Sequence, residues 1–312
     1  MHVSDEPDAQ NKETLELNSR FGLEGVQFSV GADGLTKANL RLQGGTLLEL
    51  YLKGAHITSW IPSGKTEVFY LSACSEFKND SIRGGIPIIF PQFGGLEVDK
   101  GRYPQMKSHG FARHLIWKVC RTHAERGLVE IDLHLAQNDY ALAEWPGNLF
   151  EAVLSVRLAE QLELELKVSN VGDSSLRFGA GFHPYFQVEN VPNAKVRGFQ
   201  GLRYEDALDA FTEKVQGEDF PDFSDAVNRV YHEVPSSFAL LDSASGRTIS
   251  IQQEGFPDVV LWRAAAEYAR EKSDMGDGDH LAFVCVEPAA ASTHIELPVN
   301  GTWIGKMIIG VS

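Results

Sequence analysis

Leu162-Glu163-Leu164-Glu165-Leu166-Lys167-Val168 alternates apolar and charged residues without a break. Side chains on a strand point alternately to opposite faces, so this stretch reads as a strand with one buried and one wet face. Val129, Ile131, Leu133 and Leu135 alternate with Glu130, Asp132 and His134 in the same way, and Leu154, Val156 and Leu158 repeat the pattern. Asn170-Val171-Gly172-Asp173 suits a loop after the first of these strands. Ser245-Gly246 suits a turn between Phe238–Leu241 and Thr248–Ile251. Helical signals are confined to Asp139–Trp145 and Arg263–Lys272, each short, with no regular alternation of strands and helices. Many strands and little helix in a chain of 312 residues argue for one large antiparallel β-sandwich or barrel. Residues 1–20 are polar without sustained periodicity and read as a flexible leader, with 21–312 as one domain.

Composition narrows the function. A hydrophobic fraction of 43% supports a sizeable core, and a formal net charge of −15 argues against nucleic-acid or anionic-membrane binding. No apolar run approaches the ~20 residues that span a bilayer. The N-terminus lacks a basic region followed by an apolar one, so a secretory signal is not expected. Cys74, Cys120 and Cys285 are odd in number and far apart, which fits reduced thiols in a cytoplasmic compartment. There is no phosphate-binding loop, dinucleotide fingerprint, H-E-x-x-H or G-x-S-x-G, so no nucleotide, zinc or serine-nucleophile chemistry is indicated.

Two basic motifs stand out in this acidic chain. One runs Ser81-Ile82-Arg83-Gly84-Gly85-Ile86-Pro87-Ile88-Ile89-Phe90-Pro91-Gln92-Phe93-Gly94, and the other is His109-Gly110-Phe111-Ala112-Arg113. Glycine lets a backbone pass close to a ligand, and a guanidinium suits a small oxyanion such as phosphate. An anion site in a chain of this charge must be local. Taken alone, Arg83 and Arg113 serve equally well as partners for some of the 43 acidic residues. Gly179-Ala180-Gly181-Phe182-His183-Pro184-Tyr185-Phe186 sets a histidine among small and aromatic residues, a position for a general acid or base or for a satisfied core histidine. Phe283-Val284-Cys285-Val286-Glu287-Pro288 ends an apolar strand in a carboxylate, which burial would poise as a base unless it points to solvent. His109 could be a further polar contact. Asp206 could accept hydrogen bonds from hydroxyl groups or be an ordinary turn aspartate.

Together and in this order, I-R-G-G-I-P, F-P-Q-F-G, H-G-F-A-R, F-H-P-Y-F and C-V-E-P resemble the glucose-6-phosphate 1-epimerases, or hexose-6-phosphate mutarotases, of the aldose 1-epimerase superfamily. Some plant members are labelled apospory-associated protein C. The resemblance runs from about Phe21 to the C-terminus and takes in Gly301-Thr302-Trp303. It implies an all-β, galactose-mutarotase-like antiparallel β-supersandwich with an open sugar cleft. His183 and Glu287 match the family's catalytic residues, and Arg83 and Arg113 the arginines that hold a sugar phosphate. Gln92, His109 and Asp206 match positions lining the sugar site. The implied reaction interconverts α and β anomers of a hexose 6-phosphate, with Glu287 as base on the C1 hydroxyl and His183 as acid on the ring oxygen. It calls for no metal or other cofactor and for no partner beyond the sugar phosphate, the protein acting as a monomer. The alternatives are a mutarotase of unphosphorylated aldoses and a non-catalytic sugar-phosphate module on the same fold. Two departures bear on substrate preference. Relatives usually carry W-N-P-W where this chain has Trp262-Arg263-Ala264-Ala265, and often V-D-R-V-Y where it has Val227-Asn228-Arg229-Val230-Tyr231.

Overall fold

The computed structural model describes residues 6–78, 81–96, 101–137 and 144–312, with side chains from residue 11. In chain order the elements are α1 (Glu6–Phe21), β1 (Val26–Val30), β2 (Thr36–Arg41), β3 (Leu47–Tyr51), β4 (His56–Ile61) and the short β5 (Ile88–Ile89). Next come β6 (Lys118–Glu125), β7 (Leu128–Ala136), β8 (Phe150–Leu158), β9 (Leu162–Asn170), β10 (Leu176–Phe182) and β11 (Tyr185–Gln187). They continue with β12 (Ala194–Arg197), β13 (Arg203–Asp206), β14 (Thr212–Val215), β15 (Val227–His232), β16 (Ser237–Asp242) and β17 (Arg247–Glu254). The last are β18 (Asp258–Arg263), α2 (Ala266–Glu271), β19 (Phe283–Leu297) and β20 (Thr302–Val311).

The strands form one four-stranded sheet, β1-β2-β3-β4, and two eight-stranded sheets. The outer large sheet runs β12-β16-β17-β20-β9-β8-β7-β6, and the central one β14-β13-β15-β18-β19-β10-β5, with β11 also paired to β19. The pairings between these strands are antiparallel. β9 behaves as its alternation demands. Leu162, Leu164, Leu166 and Val168 are buried, while Glu163 and Glu165 meet Lys306 of β20 at 3.1 and 3.4 Å. Burying each such leucine is worth roughly 1.5–3 kcal/mol. The buried faces of both large sheets meet in one core containing Phe178, Val259, Leu261, Val284, Val286 and Trp303.

Two readings differ from the structure or fall outside it. Where a flexible leader was expected over residues 1–20, Glu6–Phe21 is helical. The helix is tied down by polar bonds and by Leu17 and Phe21, which pack against the core. Asn18 donates to the Phe28 carbonyl and accepts from the Phe28 amide, at 2.8 and 2.9 Å. Most of the short helix expected over Asp139–Trp145 lies outside the described residues, whereas the one expected over Arg263–Lys272 is present as α2.

Candidate active site

Strand register builds the site. β11 pairs with β19 as Tyr185↔Cys285, and β10 pairs with it as Gly181↔Ala289. His183, between β10 and β11, therefore falls opposite Glu287. β18 sets Val260 beside Glu287 and Trp262 beside Cys285, and β15 sets Val230 and Asn228 beside those two. Residues directly opposite share a face, as do residues two apart on one strand. The result is two parallel rows, Val230–Val260–Glu287–His183 and Asn228–Trp262–Cys285–Tyr185, on the face of the central sheet turned away from the main core. With the exception of Cys285, these residues line a cleft of about 460 Å³.

Loops complete the walls. The Arg83 loop passes so close to β4 that a Cβ on Gly85 would meet the Ile57 carbonyl oxygen at 2.0 Å, and Gly85 has φ 61°. Only glycine fits there. His56, fully buried and held neutral with a pKa of about 3, bonds through Nε2 to the Gly84 carbonyl at 2.7 Å and fixes this loop from behind. At Gly110 a Cβ would meet the Phe90 carbonyl oxygen at 2.2 Å. That close approach lets the Phe111 and Ala112 amides both donate to the Phe90 carbonyl, each at 3.1 Å, and sets His109 and Arg113 on the cleft. His109 Nδ1 accepts from the Gly94 amide at 3.2 Å, and the ring lies edge-on to His183 at 5.3 Å. Burial, then Arg113 and Arg83, lower its pKa to about 3.

At the base of the cleft His183 Nε2 lies 3.4 Å from Glu287 Oε2. The alignment is not that of a hydrogen bond. Both carboxyl oxygens and His183 Nδ1 are buried without a partner in the protein. Burial pushes the Glu287 carboxyl well above the usual carboxylate range. Burial, followed by His109, Arg113 and Arg83, pushes the His183 imidazole well below its ordinary 6.5. Burial thus favours a protonated Glu287 carboxyl opposite a neutral His183 imidazole. His183 also stacks flat on Tyr185, with centroids 4.8 Å apart and an interplanar angle of 11°. Trp262 meets both rings edge-on.

Arg83 uses Nε and Nη2 on Asp274 at 2.9 Å and Nη1 on the Tyr185 hydroxyl at 3.1 Å. Burial opposes its charge, but Tyr185, Tyr268 and Asp274 outweigh that and raise its pKa. Arg113 donates to the Ser108 carbonyl at 3.0 Å. Among the described residues the cleft lining carries three cationic side chains, Arg83, Arg113 and Lys272, and one carboxyl, the buried Glu287, so an acidic molecule presents a locally cationic cleft.

The structure brings together His183, Glu287, Arg83, Arg113 and His109 of the residues singled out in the sequence. Gln92 and Asp206 do not line the cleft. Gln92 is buried and donates to the Gly94 carbonyl at 3.3 Å, which supports the loop that His109 holds. Asp206 pairs in register with Arg229, so it takes the face opposite to Asn228 and Val230. Its carboxylate is occupied by Lys214 at 2.9 Å and the Leu208 amide at 3.1 Å. Sequence reasoning gave no role to Tyr185, Tyr268, Lys272 or Asp274. A two-residue spacing from His183 on one strand face is the signal that could have marked Tyr185, but nothing local marks Asp274. Of the two departures from the relatives' pattern, Asn228 falls on the cleft; in the other, the retained Trp262 lines the cleft, while the changed Arg263, Ala264 and Ala265 do not. A larger groove of about 1160 Å³ over β1–β3 contains no histidine or cysteine among its lining residues.

A desolvated carboxyl opposed to an imidazole, under a polar cleft on an all-antiparallel sandwich, is suited to acid/base chemistry on a small polar molecule. Residues 37–310 match the Aldose 1-epimerase family, and the chain belongs to it. A protein of Cenchrus ciliaris named "Putative glucose-6-phosphate 1-epimerase" is 31% identical over 88% of this chain and 84% of its own. One of the same name from Escherichia coli is 31% identical over 77% of this chain and 79% of its own. The mutarotase-type YeaD structure from Salmonella typhimurium superposes with TM-score 0.84 at 26% identity, covering 93% of this chain and 94% of that one. A galactose mutarotase-like protein of Clostridium acetobutylicum shares the fold, with TM-score 0.70 at 14% identity over 92% and 98% of the two chains. The fold is the galactose-mutarotase-like β-supersandwich.

Burial of Glu287 carries a stability consequence. Its carboxyl keeps a proton in the native state over a range where the unfolded chain has released it. Through that range the unfolded state binds fewer protons, so stability falls as pH rises. His183 acts in the opposite sense, its folded value being depressed. Glu287→Gln removes the carboxyl contribution alone. Its denaturation midpoint is expected to exceed that of the wild type, by more at about pH 8 than at about pH 5. Equal midpoints at both would show that burial of this carboxyl costs nothing.

Proposed function

We propose that the protein interconverts the α and β anomers of a hexose 6-phosphate, glucose 6-phosphate foremost. The observation that carries this reading is the opposed His183–Glu287 pair at the base of a cleft that also presents Arg83 and Arg113. A cleft of about 460 Å³ falls in the ~300–1,000 Å³ range of small-molecule sites.

The chemistry needs only proton transfers. A sugar hydroxyl donating to Glu287 favours the carboxylate, and the pair's proton moves across the 3.4 Å contact to His183. Glu287 then takes the proton of the C1 hydroxyl. The released electron pair forms the C1 carbonyl as the bond from C1 to the ring oxygen breaks, and that oxygen takes the proton from His183. Rotation about C1–C2 and reclosure, with the two groups exchanging roles, give the other anomer. Arg83 and Arg113 would hold the phosphate at the cleft rim, and Trp262 and Tyr185 would confine the ring. Cys74, Cys120 and Cys285 are all free thiols, which supports the cytoplasm. Among the described residues no helix is long and apolar enough to cross a membrane.

The test is a coupled anomerisation assay on glucose 6-phosphate beside free glucose and galactose. Preference for the phosphorylated sugar is expected. Equal turnover of all three would remove the phosphate from the proposal, and no turnover of any would remove the enzyme.

A further inference from the structure

The proton-transfer chemistry leaves one buried nucleophilic group on this face unused. Cys285 is fully buried, two residues from Glu287 on the same strand face and directly opposite Tyr185. Its Sγ, a ring nitrogen of His183 and a carboxyl oxygen of Glu287 all lie within 4.8 Å of one another. Neither Glu287 oxygen nor His183 Nδ1 has a partner in the protein. His183 and Glu287 are reached from the cleft, so an ion that enters where a sugar enters meets these two donors, with the Cys285 thiol buried beside them.

We infer that His183, Cys285 and Glu287 form a binding site for a thiophilic divalent cation, zinc above all, and that occupation of this site shuts the enzyme off. Thiolate sulfur, imidazole nitrogen and carboxylate oxygen are the donors that zinc takes, three from protein with a fourth position left to water. Zinc binding would draw these three donors in to the ~2.0–2.3 Å bonds that it requires. Binding expels the thiol and carboxyl protons to solvent. It consumes the acid and the base together and blocks the floor of the cleft, so inhibition competes with substrate. Softer donors favour zinc over magnesium or calcium, which prefer oxygen alone. The inhibitory consequence rests on the acid/base reading above, but the binding of metal does not.

The exposed thiols Cys74 and Cys120 are first replaced by serine to remove adventitious sites. In this background zinc chloride is expected to inhibit anomerisation competitively, and EDTA to restore it. Magnesium at the same concentration should have no effect. Adding Cys285→Ala should weaken zinc inhibition by at least the ~10–100-fold that even outer-shell partners of a metal are worth, with zinc-free turnover kept. Cys285→Ser, which preserves volume, should behave alike. Cobalt(II) supplies a readout independent of activity. Bound to the parent it should give a thiolate-to-cobalt charge-transfer band that both Cys285 variants lack. A cobalt band without turnover on any sugar would leave the metal site standing and overturn the proposed function instead. Absence of the band, equal zinc sensitivity with and without Cys285, or activity that needs zinc would each overturn the inference.

Discussion

His183→Ala and Glu287→Gln are each expected to abolish most anomerisation while leaving the far-ultraviolet circular dichroism unchanged. The proposed reaction requires a proton at one of these two groups and a vacancy at the other, and they lie 3.4 Å apart. Removal of either ends the exchange. A positioned acid or base contributes typically ~10²–10⁴-fold, so each variant should fall by that order. The double variant should fall little further, because groups that act as a unit are not additive. Neither substitution disturbs the sheet. The backbone bonds of β10, β11 and β19 do not depend on these side chains, and Gln keeps the shape of Glu287. Wild-type turnover in either single variant, with the fold intact, would remove the assigned roles.

The second expectation separates phosphate recognition from catalysis. Three of Arg83's five N–H groups go to Asp274 and Tyr185, which leaves two at the end of the guanidinium for an anion. Asp274 therefore orients Arg83 rather than occluding it. Charge-assisted hydrogen bonds are worth about 1.5–3 kcal/mol, so Arg83→Ala or Arg113→Ala should weaken use of glucose 6-phosphate by roughly 10–100-fold. Slower turnover of free glucose should change far less, since a free sugar offers the guanidinium no anion. Because Arg83→Ala strands the carboxylate of Asp274, the fair comparison is the double variant Arg83→Ala/Asp274→Asn. Lysine at either position should recover only part of the loss, as it keeps the charge but not the planar fork. Steady-state kinetics on both substrates decide the matter. Equal losses on both would make the arginines structural.

Much of this was legible in the chain. The alternation at Leu162–Val168 fixes which side chains are buried, because a two-residue period is a property of near neighbours. The glycines beside Arg83 and after His109 announced backbone that must pass close to other backbone, and Gly85 and Gly110 lie against carbonyl oxygens. The motifs that carry the family resemblance marked His183 and Glu287. Local pattern does not determine register between strands far apart in sequence, and register sets the rest. It places His183 against Glu287, brings Cys285 into reach of both, and turns Asp206 to the far face with Arg229. Arg83's partner Asp274 lies beyond α2 with no local signal, since an ion pair across such a separation exists only once the sheet is assembled. The N-terminal helix was hidden for a related reason. It is held by the paired bonds of Asn18 to Phe28 and by Leu17 and Phe21 against the core, too few apolar positions to read as a stripe. Sequence determined which residues could do acid/base and anion chemistry. Tertiary structure decided which of them share a face, and burial on that face favours a protonated Glu287 opposite a neutral His183.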